Sequence, residues 1–368
     1  MYIYQQRGWP NFTWHEESLI HLLSDVRHKQ GRLIGRMEGL GFSMRSEAIL
    51  QTLTLDVLKS NEIEGDLLNG DQVRSSIARR LGMDVAGLVP TNKQVEGVVE
   101  MLLDATQNYH EEITDKRLFA WHAELLATAG HGRHQITIGN WRNNNAGPMQ
   151  VVSGPMGHEK IHFEAPEAPL VDGEMQNFIK WFNTCTHDID PVLKAGIAHL
   201  WFVTVHPFDD GNGRIARTIA DMQMARADSS SQRFYSMSVQ IQKERKKYYD
   251  ILEKTQKGSL DITEWLEWFL ACLDRALTAS EEAVATILNK ARYWETFAEK
   301  NISQRQRLML NKLLDGFEGK LTTSKWAKIV KCSQDTALRD IQDLIDQDIL
   351  IKEDSGGRST GYGLRKIG

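Results

Sequence analysis

The residues best equipped for chemistry lie in one stretch, HPFDDGNGRIAR, residues 206–217. His206 has the side chain of this set whose ordinary pKa suits it to accept a proton near neutrality. Asp210 offers a hard carboxylate of the kind that holds Mg2+ together with substrate phosphates. Gly211, Asn212 and Gly213 stand where a second helix should begin. Glycines there permit a tight backbone bend, and the free amides of a helix N-terminus attract phosphate. Arg214 and Arg217 are three residues apart and can reach one anion, and paired guanidiniums suit a polyphosphate. Phe208 is best used as a core anchor for the loop. A base, a metal ligand, an anion nest and two arginines in this order imply phosphoryl or nucleotidyl transfer. A capped helix with solvated charges would require no such ordered set.

These residues need a rigid support. The run VLKAGIAHLWFVTV, residues 192–205, is almost wholly apolar and reads as a buried helix ending at the motif. Helical periodicity dominates elsewhere. Leu19, Leu22, Leu23, Val26, Leu33 and Ile34 form one apolar face, and Ile49, Leu53, Val57 and Ile63 a second, with Gly65 as its stop. Further helices are expected over 91–110, 114–129, 172–184, 191–205, 212–227, 240–256 and 261–299. Residues 136–166 depart from this pattern: MQVV and KIHF flank SGPMGHE, the signature of a β-hairpin. His158 and His162 have HxxxH spacing, but on a hairpin that spacing does not converge on one metal; His131 and His134 sit in a loop. All four are read as non-ligands, and His199 as a satisfied core histidine.

The chain has 368 residues, room for two or three domains, and a net charge of −5, which argues against a generally nucleic-acid-coating or membrane-hugging protein. Cys185, Cys272 and Cys332 are odd in number and far apart, which fits a reducing compartment. The opening residues lack a secretory pattern, and no run approaches the ~18 apolar residues of a membrane span. A soluble cytoplasmic protein is expected.

His206, Phe208, Asp210, Gly211, Asn212, Gly213, Arg214 and Arg217 all match HxFx(D/E)GNGRxxR, the signature of the Fic family. The resemblance spans roughly residues 114–272. It implies a Fic-type helical catalytic core with a β-hairpin flap (114–272), within a mainly α chain whose periodicity and element order give a helical N-terminal domain (1–113) and a C-terminal winged helix (300–368). It also implies transfer of AMP from ATP to a Ser, Thr or Tyr hydroxyl of a target protein. His206 would deprotonate that hydroxyl, and Asp210 would hold Mg2+ between the α- and β-phosphates. The Gly211–Gly213 nest and Arg214 would bind phosphates, with Arg217 at the γ-phosphate. In the related death-on-curing kinases a lysine replaces the second glycine, so Gly213 favours nucleotidyl over phosphoryl transfer. The flap resemblance places Val151, Val152, Ser153 and Gly154 along the ATP site, and ERKKYYDILEKTQ resembles the segment near the adenosine, with Tyr248, Tyr249 and Gln256 as candidates. SNEIEG, residues 60–65, matches the family's inhibitory (S/T)xxxE(G/N) pattern. By that match Ser60 and Glu64 belong to an inhibitory helix, and Glu64 would pair with Arg217 and deny it to the γ-phosphate. The opening YIYQQRGWPNFTW is similar to an N-terminal segment of this subgroup, and a homodimer would suit the family.

After about residue 300, three helical runs precede LIKED, SGGRSTG and YGLRK, which read as strand, turn and strand. That order is the pattern of a winged helix-turn-helix. Asp335, Asp340, Asp343, Asp346 and Asp348 outnumber Lys331 and Arg339 around its recognition helix, while Arg358, Arg365 and Lys366 flank the wing. The acidity favours protein interaction or domain packing over DNA binding. Two other functions stay open: a nucleotide-sensing transcription regulator, and an enzyme of this fold in which Glu64 orients water to remove AMP.

Overall fold

A computed structural model describes the whole chain except residues 86, 128–135, 144–146, 155–157, 159, 185–187, 315–316, 318, 354–359 and 366–368. His131, His134, Cys185, Arg358, Lys366 and most of the expected SGPMGHE turn lie outside the described residues. The chain divides into two compact units, Met1–Ser280 and Glu281–Gly368. Both segments expected as separate domains, 1–113 and 114–272, fall within the first unit.

After a single 3-10 turn at Ile3–Gln5, α1 (Glu16–Glu38) buries Leu19, Val26, Leu33 and Met37 along one face. Glu16 and Glu17 lie in its first turn, where carboxylates suit the helix dipole. Helix α2 (Phe42–Glu64) ends at Gly65, whose φ of +94° is a left-handed stop that favours glycine. The reversal brings the Asp66 amide back onto the Asn61 carbonyl at 3.0 Å, so Asp66 stays beside the end of the helix. Helix α3 (Gly70–Arg80) was not expected. Its first residue is glycine, its middle is polar, and its apolar face is short: Val73 and Ile77. The available signal was Asn69, which caps it by accepting the Gln72 amide at 3.0 Å.

Helices α4 (Lys93–Gln107) and α5 (Asp115–Leu125) pack on each other and lead to the hairpin β1 (Gln150–Ser153) and β2 (Lys160–Glu164). Val151 pairs with Phe163 and Val152 with Ile161, so the ladder skips His162. Helix α6 (Ala168–Asn183) packs on α7 (Pro191–Val205), which is buried from Val192 to Val205. An all-round apolar surface suits a helix enclosed by its neighbours. Asp190 caps it, accepting the Val192 amide at 2.7 Å, and Pro191 opens its first turn. Helix α8 (Asn212–Asp228) lies against α7. The expected helix over 240–256 is two, α9 (Met237–Lys243) and α10 (Arg245–Gln256). Glu244 breaks it: its carboxylate takes both 2.7 Å hydrogen bonds from Arg275, and its backbone leaves the helical region. Helix α11 (Thr263–Thr296) follows and contains the point of division.

The second unit holds α12 (Gln304–Leu314), α13 (Thr323–Val330), α14 (Gln334–Asp346) and the hairpin β3 (Leu350–Glu353) with β4 (Gly361–Leu364). Trp326, Met309, Leu310, Ile341, Leu344 and Tyr362 share its core. Among the described residues, no helix is long and apolar enough to cross a membrane.

Candidate active site

The last residue before the motif loop is under backbone tension. His206 closes α7 with φ +52°, ψ +58°, left-handed values uncommon for a non-glycine residue. Its Nδ1–H donates to the Val203 carbonyl at 3.1 Å, which leaves Nε2 as an unprotonated acceptor. Burial pulls the imidazole pKa down to about 4, against the Val203 hydrogen bond and assisted by the nearby Arg142 charge. The ring is therefore neutral near pH 7, as a general base must be.

The loop returns through Phe208, which is fully buried and stacks on His122 with ring centroids 4.1 Å apart. Asn212 clamps it from both sides: its Nδ2 donates to the Phe208 carbonyl at 2.7 Å, and its Oδ1 accepts the Phe208 amide at 2.9 Å. Asn212, expected on the nucleotide, thus commits its carboxamide to the loop and retains only its backbone amide for a ligand. Gly211 caps α8 with φ +81°, and a Cβ there would run into Leu125. No side chain caps α8, so its first-turn amides stay available. Gly211→Ala should combine left-handed strain with this overlap and destabilise the unit by about 1–3 kcal/mol. Chemical denaturation of the two proteins measures that difference.

Both motif arginines are buried and both face the end of α2. Arg217 Nη2 lies 2.8 Å from Glu64 Oε1, while its Nε and Nη2 donate to Ser60 Oγ at 3.0 Å and the Ser60 carbonyl at 2.9 Å. Burial pushes the Glu64 carboxyl up, but the Arg217 charge and hydrogen bond outweigh it, so its pKa stays below the ordinary value. A Cβ on Gly213 would overlap the Glu64 carboxylate, which therefore sits directly over the first turn of α8. Arg214 Nη1 donates to Asp66 Oδ2 at 2.7 Å, and its Nη2 lies 3.6 Å from Asp210 Oδ2. Each guanidinium still holds one buried nitrogen, Arg214 Nε and Arg217 Nη1, that finds no acceptor among the described residues. Unspent buried donors are costly, and an anion would satisfy them.

Asp210 is half-exposed, with Oδ1 accepting the Gly211 amide at 2.6 Å. Among the described residues no group of three or more His, Cys, Asp or Glu could hold a metal. One accessible carboxylate beside a phosphate nest does fit Mg2+, which takes one or two carboxylates and otherwise water and phosphate.

Residues 112–224 match the Fic/DOC family profile, and residues 2–83 match a domain of unknown function, DUF4172. The chain carries a Fic/DOC domain. It is 29% identical over 221 residues to a protein from Drosophila ananassae named "Protein adenylyltransferase Fic", covering 58% of this chain and 39% of that one. The protein of the same name from Drosophila willistoni matches with the same identity and coverage. The chain thus spans about two-fifths of the length of these curated relatives. Its fold is similar to that of a Fic family protein from Desulfovibrio desulfuricans G20, with TM-score 0.53 and 19% identity over 98% of this chain and 99% of that one. It is also similar to a Fic-domain signalling protein from Bacteroides thetaiotaomicron, with TM-score 0.51 and 18% identity over 70% and 98%.

The structure spreads the remaining expected residues unevenly. Tyr249 is partly exposed, and its hydroxyl lies 3.4 Å from Glu64 Oε2. Tyr248 and Gln256, expected beside the adenosine, are buried instead. The Tyr248 hydroxyl meets His199 Nε2 at 2.9 Å, and Gln256 Nε2 donates to the Val203 carbonyl at 3.3 Å. Both support the site from below because their side of α10 packs on α7. Val151, Val152, Ser153 and Gly154 lie on the exposed or half-buried part of the hairpin.

Four residues around the Fic motif escaped sequence reasoning. Arg142 donates through Nε to the His206 carbonyl at 2.8 Å and through Nη2 to the Pro166 carbonyl, while its amide donates to the Pro207 carbonyl at 2.9 Å. It bolts the base of the hairpin to the His206 turn. His122 accepts the Gly139 amide on Nδ1 at 3.0 Å and donates from Nε2 to the Asp210 carbonyl at 3.2 Å. Asp209 accepts the Thr137 amide at 2.8 Å. The fourth is Asp66 on Arg214. The GNWR run ending at Arg142 and the EGD end of α2 were visible, but nothing in their spacing said which side chain they would meet.

Proposed function

We propose that the chain is a protein adenylyltransferase that transfers AMP from ATP to a hydroxyl of a target protein and is held in check by Glu64. One observation carries this reading: two buried motif arginines beside an uncapped helix N-terminus, each with an unspent donor, next to a histidine held neutral with Nε2 free. Anion binding at the α8 amides and at Arg214 and Arg217 would place the α-phosphate within reach of a hydroxyl approaching His206. Nε2 takes the hydroxyl proton, the oxygen bonds to the α-phosphorus, and the bond to the β-phosphate breaks to release pyrophosphate. Bound Mg2+, held by Asp210 and the phosphates, would neutralise charge on the departing pyrophosphate. The resemblance to proteins named adenylyltransferases supports the same reaction.

Incubating the purified protein with ATP labelled on its α-phosphate, Mg2+ and a cell extract tests it. Covalent label on protein is expected; retention of nucleotide with no covalent label in any variant supports a nucleotide-sensing regulator instead. Asp210→Ala should shift the Mg2+ concentration for half-maximal labelling upward. A Mg2+ titration that superimposes on the wild type would assign the ion to another ligand.

In the second unit, three helices and a hairpin joined by a Leu321–Tyr362 bridge support a winged helix. Arg305 takes Asp340 through two 2.9 Å hydrogen bonds, and Gln306 takes Asp343 at 2.7 Å. Part of the acidity of α14 is therefore spent inside the unit, while Asp335 and Asp346 remain on its surface and favour a protein partner over DNA.

A further inference from the structure

Three contacts hold the backbone of the motif loop. The Arg142 amide donates to the Pro207 carbonyl, Asn212 meets both backbone groups of Phe208, and His122 reaches the Asp210 carbonyl. The third of these bears on the Asp210 carboxylate.

His122 lies on α5, fully buried and face to face with Phe208. Each of its ring nitrogens meets a backbone group that can play only one part. The Gly139 amide can only donate, so Nδ1 carries no proton and accepts it at 3.0 Å. The Asp210 carbonyl can only accept, so Nε2 carries the proton and donates at 3.2 Å. The ring thereby spans two segments that run side by side. The Thr137 amide also donates across them to Asp209 Oδ2, and the Arg142 amide to the Pro207 carbonyl.

The Asp210–Gly211 peptide passes this hold on to the carboxylate. Its carbonyl accepts from His122, and its N–H, on the opposite edge, donates to Asp210 Oδ1 at 2.6 Å. A peptide unit is planar, so the two bonds cannot turn independently. Glycine at 211 offers little resistance to rotation of that unit, and the ring supplies the restraint the backbone lacks. With Oδ1 committed to the amide, Oδ2 is left 3.6 Å from Arg214 Nη2 on a half-exposed side chain. Where Oδ2 points is therefore set from His122.

We propose that His122 is the positioning residue for the Asp210 carboxylate and sets how tightly Mg2+ is held with ATP. This rests on the reading of Asp210 as the ligand of that ion. Removing the hydrogen-bond partner behind a metal ligand typically costs about 10–100-fold in metal affinity. Loss of the His122 N–H should thus weaken the binding of Mg2+ with ATP while leaving the α8 amides and both arginines able to take ATP alone.

The test measures ATP binding by calorimetry, once with Mg2+ and once with EDTA, in full-length Glu64→Gly, His206→Ala protein, which should bind nucleotide without consuming it. The ratio of the two dissociation constants is the gain due to Mg2+. Glutamine places an N–H near the position of Nε2, asparagine places an oxygen near that of Nδ1, and phenylalanine keeps only the stack on Phe208. Added to this parent, His122→Gln should keep most of the gain. His122→Asn and His122→Phe should each lose about tenfold or more of it, with affinity in EDTA close to the parent's. Either of these two, if folded by its denaturation midpoint, suffices beside His122→Gln. An equal gain in all proteins, a His122→Gln protein as impaired as His122→Phe, or an equal loss of affinity with and without Mg2+ overturns the role of His122. A gain absent from the parent, or unaltered when Asp210→Ala is added to it, overturns instead the reading of Asp210 as the Mg2+ ligand.

Discussion

Glu64→Gly is expected to raise AMP transfer at least about 10²-fold, because misplaced reacting groups cost on that order. In the resting structure Arg217 spends Nη2 on Glu64 and its Nε on Ser60, and the Glu64 carboxylate covers the first turn of α8. A γ-phosphate cannot share Arg217 with a carboxylate at 2.8 Å, since two anions would compete for one guanidinium. ATP would then bind with its phosphates displaced and its α-phosphate out of line with the hydroxyl. Glycine at position 64 removes the charge and uncovers the amides together. Adding Arg217→Ala should cancel most of the gain, since the released arginine is what acts, and a four-protein labelling cycle measures that coupling. Asp66 sets a further expectation, because it still pairs with Arg214 after Glu64 is gone. Glu64→Gly with Asp66→Asn should therefore exceed Glu64→Gly alone. A wild type that loses pre-formed label faster than Glu64→Gly would instead give Glu64 a role in AMP removal.

His206→Ala is expected to lower transfer by about 10²–10⁴-fold while ATP still binds. The loop around it is held by Phe208, Asn212 and Arg142 rather than by the imidazole, so the anion nest should survive. The pH profile carries a sharper signature. Burial and the Arg142 charge favour the neutral ring, so the base-competent form persists well below the usual histidine range and is lost as pH falls through about 4. Transfer should stay level as pH drops from 7 towards 5. Arg142→Met removes a positive charge that opposes protonation, so the acidic limb should move to higher pH. A limb already centred near 6.5 in the wild type would show that the ring is not desolvated as the structure has it.

Much of this site was legible because its information is local. The motif places its base, carboxylate, glycines and arginines within twelve residues, and one helix end plus one helix start then fixes their relation. SNEIEG was legible for the same reason, since spacing along α2 sets which residues share its last turn. What stayed hidden depends on contacts between distant segments. Arg142 is 64 residues from His206, and its role follows only from the carbonyls it reaches. Tyr248 and Gln256 have the types expected beside an adenosine, but sequence cannot say which face of α10 packs on α7. The contacts of His162 with Ser153 on β1 and Glu253 on α10 need both a bulge and a third element, and period-two patterning carries neither. Helix α3 was missed for a different reason: its apolar face is two residues wide, too short for periodicity to register.

The account stands most directly on covalent labelling of Glu64→Gly and of Glu64→Gly with His206→Ala, using ATP labelled on the α-phosphate and, in a parallel reaction, on the γ-phosphate. The first protein should acquire α-label and no γ-label, and the second should acquire almost none of either. Incorporation of γ-label would mean phosphoryl rather than nucleotidyl transfer, and α-labelling that survives the loss of His206 would contradict the site described.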